Sequence, residues 1–289
     1  MTGYLALARR GRTDWWRYVL TPIAALLLWA IFIVIGYVVA FTSHLLPADY
    51  LKFALDPSHP AYFYGFAGIT FGGLLVVFAI AVLLVHGKRL ADIVGPWRWS
   101  QFAAGAGLWL FLSAAGAGID YLVRPAGFRL TLGPQTLTLA LIAAPSLAAQ
   151  TFCEEFIFRG YVTQGVALGL KRPLAAAAIS AAIFAFFHIP NGIPEAANAL
   201  VFGFITALIV MRTTNLAFTY GIHLVNNLFG AVVVVSSADV LHGSPGIFTQ
   251  ATPDLLWLDV AFATVAFVLI WLFVRRIPST AQEGPEAVF

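Results

Sequence analysis

The sequence predicts an all-α membrane protein, a polytopic bundle of about eight transmembrane helices with both termini in the cytoplasm. Three observations predict it. Apolar residues make up 61% of the 289 and charged residues only 10%, against about 25% charged in a soluble domain. Mean hydropathy is +0.88, so lipid is the solvent for most side chains. Eight apolar runs approach or reach the roughly 17–25 residues that cross a bilayer as helix. Basic residues, finally, alternate between the two sides that those runs define.

The first run, Tyr18–Phe41, follows Arg9, Arg10, Arg12 and Arg17. It is too long for a signal-peptide core and has no clear small-residue cleavage site, so it reads as a retained span. The second, Tyr62–Val85, carries Gly68 and Gly72 at GxxxG spacing, and the third, Gln101–Val123, is studded with Gly105, Gly107, Gly116 and Gly118. Small residues in such runs let helix backbones approach closely. Leu137–Arg159 and Pro173–His188 form a hairpin about Gly169–Pro173; the first arm extends toward Leu168 and the second is short. Ile193–Met211, Thr214–Val235 and Leu255–Val274 complete the set.

With eight spans, Arg9, Arg10, Arg12, Arg17, Lys88, Arg89, Arg98, Lys171, Arg172, Arg212, Arg275 and Arg276 fall on the side of the termini. Only Lys52, Arg124 and Arg129 fall on the other. Cytoplasmic loops carry the excess of Lys and Arg, so the termini are placed in the cytoplasm. Trp15, Trp16, Trp97 and Trp99 flank span starts, as interfacial anchors do. The net charge of +3 is thereby explained by topology, and nucleic acid is not expected as a partner. A single cysteine, Cys153, excludes an internal disulfide. No internal repeat is visible. One membrane-embedded domain, residues 1–289, is expected, ending in a short polar, disordered tail at 277–289.

Some polar residues lie inside the runs. Glu154, Glu155 and Arg159 interrupt the fourth, His188 closes the fifth after Phe184, and His223, Asn226 and Asn227 sit within the seventh. An ionised group at the bilayer centre costs roughly 2.5–3.5 kcal/mol on insertion scales, so such residues mark function by default. Glu155 and Arg159 are four apart and share a face, where they can pair. Glu154 is turned about 100° away, which leaves it free to react. Asn226 and Phe184 read as packing. Glu154 and His188 each stand seventeen residues from Lys171, about 25 Å along their helices at 1.5 Å per residue. They should meet at one level across the hairpin. His223 and Asn227 lie about 15 and 21 Å beyond the turn near Thr213, close to that level.

Glu154-Glu155-x-x-x-Arg159, Phe184-x-x-x-His188 and His223-x-x-x-Asn227, in that order on membrane helices, resemble the CAAX protease and bacteriocin-processing (CPBP, or Abi) family, which includes the Ras-converting prenyl-protein endopeptidases. The resemblance covers the second half of the chain, with residues 137–235 as the helices that carry the motifs. It implies an intramembrane endopeptidase acting on a protein or peptide that is lipidated in the Ras-converting relatives. By that resemblance Glu154 is the base that activates a water, helped by His188. His223 and Asn227 then stabilise the oxyanion, and Glu155 and Arg159 support the site. No cofactor is needed for this chemistry. A prokaryotic source would place the protein in the plasma membrane.

Alternatives remain open at the level of sequence. Glu154, His188 and His223 supply the ligand types of a His₂Glu zinc site, although no HExxH is present. Intramembrane Glu and His also build proton relays, so a proton-coupled transporter is a second class. Visible repeats and paired broken spans, the usual marks of that class, are missing. A non-catalytic scaffold or immunity protein is a third. Cys153 could suggest a thiol protease, but its acidic neighbours oppose a reactive thiolate.

Overall fold

The computed structural model describes residues 2–237, 240–251 and 256–276. A short helix α1 (Thr2–Ala8) precedes α2 (Trp15–Thr42). The short α3 (Tyr50–Ala54) leads to α4 (Pro60–His86), which starts on proline and stops where Gly87 turns left-handed, φ 67°. Proline at a first helical position wastes no donor, and glycine is the residue that takes a left-handed stop without strain. Then come α5 (Leu90–Val94) and α6 (Trp99–Val123). A rod follows in three joined pieces: α7 (Pro134–Glu154), a π-helical segment (Glu155–Val162) and α8 (Thr163–Leu170). The chain then folds back as α9 (Pro173–Phe186), α10 (Ile193–Thr213), α11 (Ala217–Leu228, continued as π-helix to Val233) and α12 (Leu256–Val274).

The protein is thus a predominantly helical, multi-pass membrane bundle of the all-α class. Among the described residues five helices are long and apolar enough to cross a bilayer: α2, α4, α6, the rod Pro134–Leu170 and α10. The other three expected spans are helices of shorter apolar length. The fourth run does not stop at Arg159 but continues to Leu170, and the seventh yields its last residues to a strand. The start of the eighth run at Leu255 and the tail 277–289 lie outside the described residues. Helix α2 buries only Thr21 and Ala25 and exposes aliphatic side chains over most of its circumference, as a lipid-facing helix does, while Trp29 and Phe32 pack on α4.

A small sheet lies beyond the ends of α6, α11 and the start of α12. Strands β1 (Phe128–Leu130), β2 (Val234–Ser236) and β3 (Phe248–Gln250) stand in the order β1-β3-β2, antiparallel then parallel. Sequence reasoning missed it because three-residue strands leave no periodic trace.

Glycine sets the packing that positions the site. A Cβ on Gly105 of α6 would come within 2.1 Å of the Phe218 carbonyl oxygen of α11, and one on Gly221 within 2.4 Å of the Phe102 carbonyl oxygen. Two backbones therefore touch at reciprocal points, which fixes how far α11, and His223 on it, is pushed into the bundle. Gly68 meets Ser146 of α7 in the same manner, at 2.8 Å, so the GxxxG of α4 does serve helix packing.

Candidate active site

The site is built where the rod changes from α to π winding. Glu154 is the last α-helical residue and Glu155 the first of the wider segment. A π-bulge is a common device at functional positions because it re-aims side chains. Neighbours secure this one. Ser180 of α9 donates its hydroxyl to the Phe158 carbonyl at 2.8 Å, and the Tyr4 hydroxyl of α1 donates to the Arg159 carbonyl at 2.9 Å. The N-terminal helix is therefore part of the scaffold under the site, a role invisible in its sequence.

Glu155 and Arg159 are both fully buried, and Arg159 Nε lies 3.4 Å from Glu155 Oε1. Arg159 Nε also donates to Thr206 Oγ1 at 3.0 Å. Its two terminal nitrogens find no hydrogen-bond partner among the described residues. Aromatic faces take their place: the guanidinium carbon stands 4.0 Å from the Phe184 ring centre and 4.6 Å from that of Phe202. Cation–π attraction is strongest in such desolvated positions. Phe184 is thus more than the packing residue its sequence suggests.

His223 stands between the two glutamates. Its Nδ1 is 2.9 Å from Glu155 Oε1 and its Nε2 3.5 Å from Glu154 Oε2. Glu154 is held from its other oxygen by Gln150, whose amide donates to Oε1 at 3.2 Å. Gln150 was missed by sequence reasoning, although its place four residues before Glu154 was a usable sign. Asn227 donates weakly to Thr151 Oγ1, at 3.3 Å. Asn226 accepts from Trp109 Nε1 at 3.2 Å and is exposed on the cavity wall rather than packed.

His188 is half-buried at the end of α9. Its Nδ1 lies 2.9 Å from the Phe184 carbonyl. A carbonyl only accepts, so Nδ1 carries the proton and Nε2 presents a lone pair. His188, Glu154, His223 and Asn227 line one cavity of about 400 Å³. The four candidate residues from three separate segments are therefore brought together. No direct hydrogen bond between His188 and Glu154 is seen among the described residues; both line the cavity.

A His₂Glu metal site was tested on this geometry. Among the described residues no three His, Cys, Asp or Glu side chains converge closely enough to hold an ion. His223 turns Nδ1 to Glu155 and Nε2 to Glu154. Cys153 is fully buried.

A multi-pass helical bundle with a carboxylate–imidazole cluster in a membrane-embedded cavity is the class these features define. Residues 135–229 match the family described as type II CAAX prenyl endopeptidase Rce1-like. That segment contains all seven residues singled out in the three motifs, and its match supports peptidase activity of the CAAX-protease kind at family level. The chain is also similar to the uncharacterized protein YyaK of Bacillus subtilis (strain 168), 24% identical over 244 residues, 78% of this chain and 77% of that protein. No solved structure matches.

Proposed function

We propose that the protein is an intramembrane endopeptidase in which Glu154 activates the water that attacks the scissile carbonyl. The observation that carries this reading is the placement of Glu154. Its carboxylate is fixed by Gln150 and flanked by His223, and it lines a cavity shared with His188 and Asn227. Glu154 takes one proton from the water. The His188 Nε2 lone pair accepts the water's second hydrogen bond and orients it. The hydroxide oxygen bonds to the carbonyl carbon, and the carbonyl oxygen becomes an oxyanion. Asn227, with an amide N–H to spare, stabilises that oxygen, and His223, carrying protons on both ring nitrogens, adds positive charge from beside it. When the C–N bond breaks, Glu154 returns its proton to the leaving amine. General base catalysis of this kind is worth about 10²–10⁴-fold, and oxyanion donors add a similar factor.

Glu155 and Arg159 act through His223. The buried pair anchors Nδ1, so only Nε2 is left to serve Glu154. A second, apolar cavity of about 750 Å³ also reaches Glu154 and His188, running between α2, α4, the rod and α9. It supports a substrate with an apolar or lipidated part, CAAX-type or related, lying in the membrane beside the polar cleavage site.

The test is mass spectrometry of peptides released from candidate membrane substrates by the purified protein and by Glu154→Gln, with and without chelator. Cleavage lost in the variant, with thermal stability unchanged, is expected. Equal cleavage by both would overturn the reading.

A further inference from the structure

The cavity that holds the candidate site extends to one end of the bundle. Its wall uses the second half of α6 (Ser113, Ala117, Asp120), the first turns of α10 (Asn198) and the strands β2 and β3 (Ser236, Gln250). The same end holds the sheet, and Gln250 of β3 donates to Asp120 near the end of α6 at 3.2 Å.

The opposite end is tied together by basic residues and their neighbours. Arg17 at the start of α2 donates to the Val85 carbonyl at the end of α4 at 2.6 Å. His86 meets Tyr161 of the rod at 2.9 Å. Arg212 at the end of α10 donates to the Val274 carbonyl at the end of α12 at 3.0 Å. Lys88, Arg89, Arg98, Lys171 and Arg172 lie in the connections at this same end. Charge asymmetry between the two ends sets orientation in a membrane, with the Lys- and Arg-rich end in the cytoplasm.

From these two facts we infer that the catalytic vestibule opens on the extracytoplasmic face. The scissile bond is then offered from outside the cytoplasm, on a secreted or membrane-anchored polypeptide. This deepens the peptidase reading and rests on it for the word scissile. It also departs from what the name of the matching family suggests, because a carboxyl-terminal tail presented from the cytoplasm would approach from the basic end, through the apolar cavity and not through the vestibule. The apolar cavity fits the same geometry. It runs from Glu154 and His188 toward Trp15, Tyr18 and Gly165, that is, toward the cytoplasmic end. The anchor of an outward-facing substrate would occupy it, with the polar stretch emerging into the vestibule.

The test labels single cysteines with a membrane-impermeant maleimide in the full-length protein carrying Cys153→Ala. Ser113→Cys and Ala117→Cys report on the vestibule, and Lys171→Cys reports on the basic end. The proposal expects both vestibule positions to react in intact cells and lose that reaction in sealed inverted vesicles, with the reverse at position 171. Vestibule labelling confined to inverted vesicles overturns it, and so does vestibule labelling that appears only after detergent. None of these readouts needs cleavage. A protein that labels as expected but cuts nothing would sink the peptidase reading and leave the sidedness standing.

Discussion

Glu155 Oε1 lies 2.9 Å from Nδ1 of His223, joining residues 68 positions apart in a fully buried contact. The contact decides how the site is wired. With Nδ1 occupied, His223 has one nitrogen left, and that nitrogen faces Glu154. Adjacent glutamates in one sequence thereby meet opposite nitrogens of one imidazole. Glu155 is tied to Arg159 and His223 in the protein interior, while Glu154 faces the cavity.

Removing Glu155 should damage stability more than chemistry alone explains. Glu155→Ala leaves Arg159 buried without a counter-charge, and breaking such a pair typically costs about 3–5 kcal/mol. Arg159→Met in the same chain removes the orphaned charge. The double variant Glu155→Ala/Arg159→Met should recover part of the lost melting temperature while its cleavage rate stays low, since His223 remains unanchored. Thermal denaturation in detergent, run beside a cleavage assay, reads both. A double variant no more stable than Glu155→Ala would mean that the pair is not energetically coupled.

Gln150→Leu tests positioning. The substitution keeps the volume on the rod but deletes the amide that donates to Glu154 Oε1. A hydrogen bond to a carboxylate contributes about 1.5–3 kcal/mol, so a fall of about tenfold or more in kcat is expected, with KM nearly unchanged. Adding back the amide as Gln150→Asn should restore little, because the shorter side chain stops short of the carboxylate. Steady-state kinetics separate this from a merely structural role, which would lower melting temperature without the split between kcat and KM.

Gly105→Ala probes the helix contact behind the site. The added methyl would sit 2.1 Å from the Phe218 carbonyl oxygen, and backbone cannot swing aside as a side chain can. Overpacking of this sort costs about 1–3 kcal/mol. Displacement of α11 would carry His223 away from Glu154, so activity should fall together with stability. Gly107→Ala is the control, since nothing stands within 4 Å of a Cβ there, and it should change neither.

The bundle was legible because lipid demands long apolar runs and the basic residues punctuate them on alternate sides. The candidate site was legible for a related reason: in such runs Glu154, Arg159 and His223 are costly to place and so draw attention to themselves. Level-matching from Lys171 brought Glu154 and His188 toward one cavity by counting residues alone. What stayed hidden depends on three-dimensional contacts with no local signature. The π-winding after Glu154 is imposed by packing, with Ser180 and Tyr4 reaching its carbonyls from distant segments. The aromatic sandwich around Arg159 joins Phe184 to Phe202, which no spacing rule connects. The sheet pairs residues from segments more than a hundred positions apart.

Lys88 gives a pH-dependent prediction at the basic end, outside the spans. Its ammonium is buried, donating to the Ala8 carbonyl at 2.8 Å, to the Tyr18 hydroxyl at 3.1 Å and to Gln164 Oε1 at 3.2 Å. Burial opposes the charged form and lowers its pKa from 10.5 to about 8, with Asp92 pulling the other way. In the unfolded chain the amine keeps its proton up to its ordinary value. Between pH 8 and 10.5 the unfolded state therefore binds more protons than the folded one, and stability rises with pH across that window. The slope from one group is at most roughly 1.4 kcal/mol per pH unit. Melting temperature measured from pH 7.5 to 10 should climb more steeply in the natural protein than in Lys88→Met, which has no amine to titrate. Parallel curves for the two proteins would mean that Lys88 keeps its proton in the fold, and that its three acceptors hold the charge more strongly than burial opposes it.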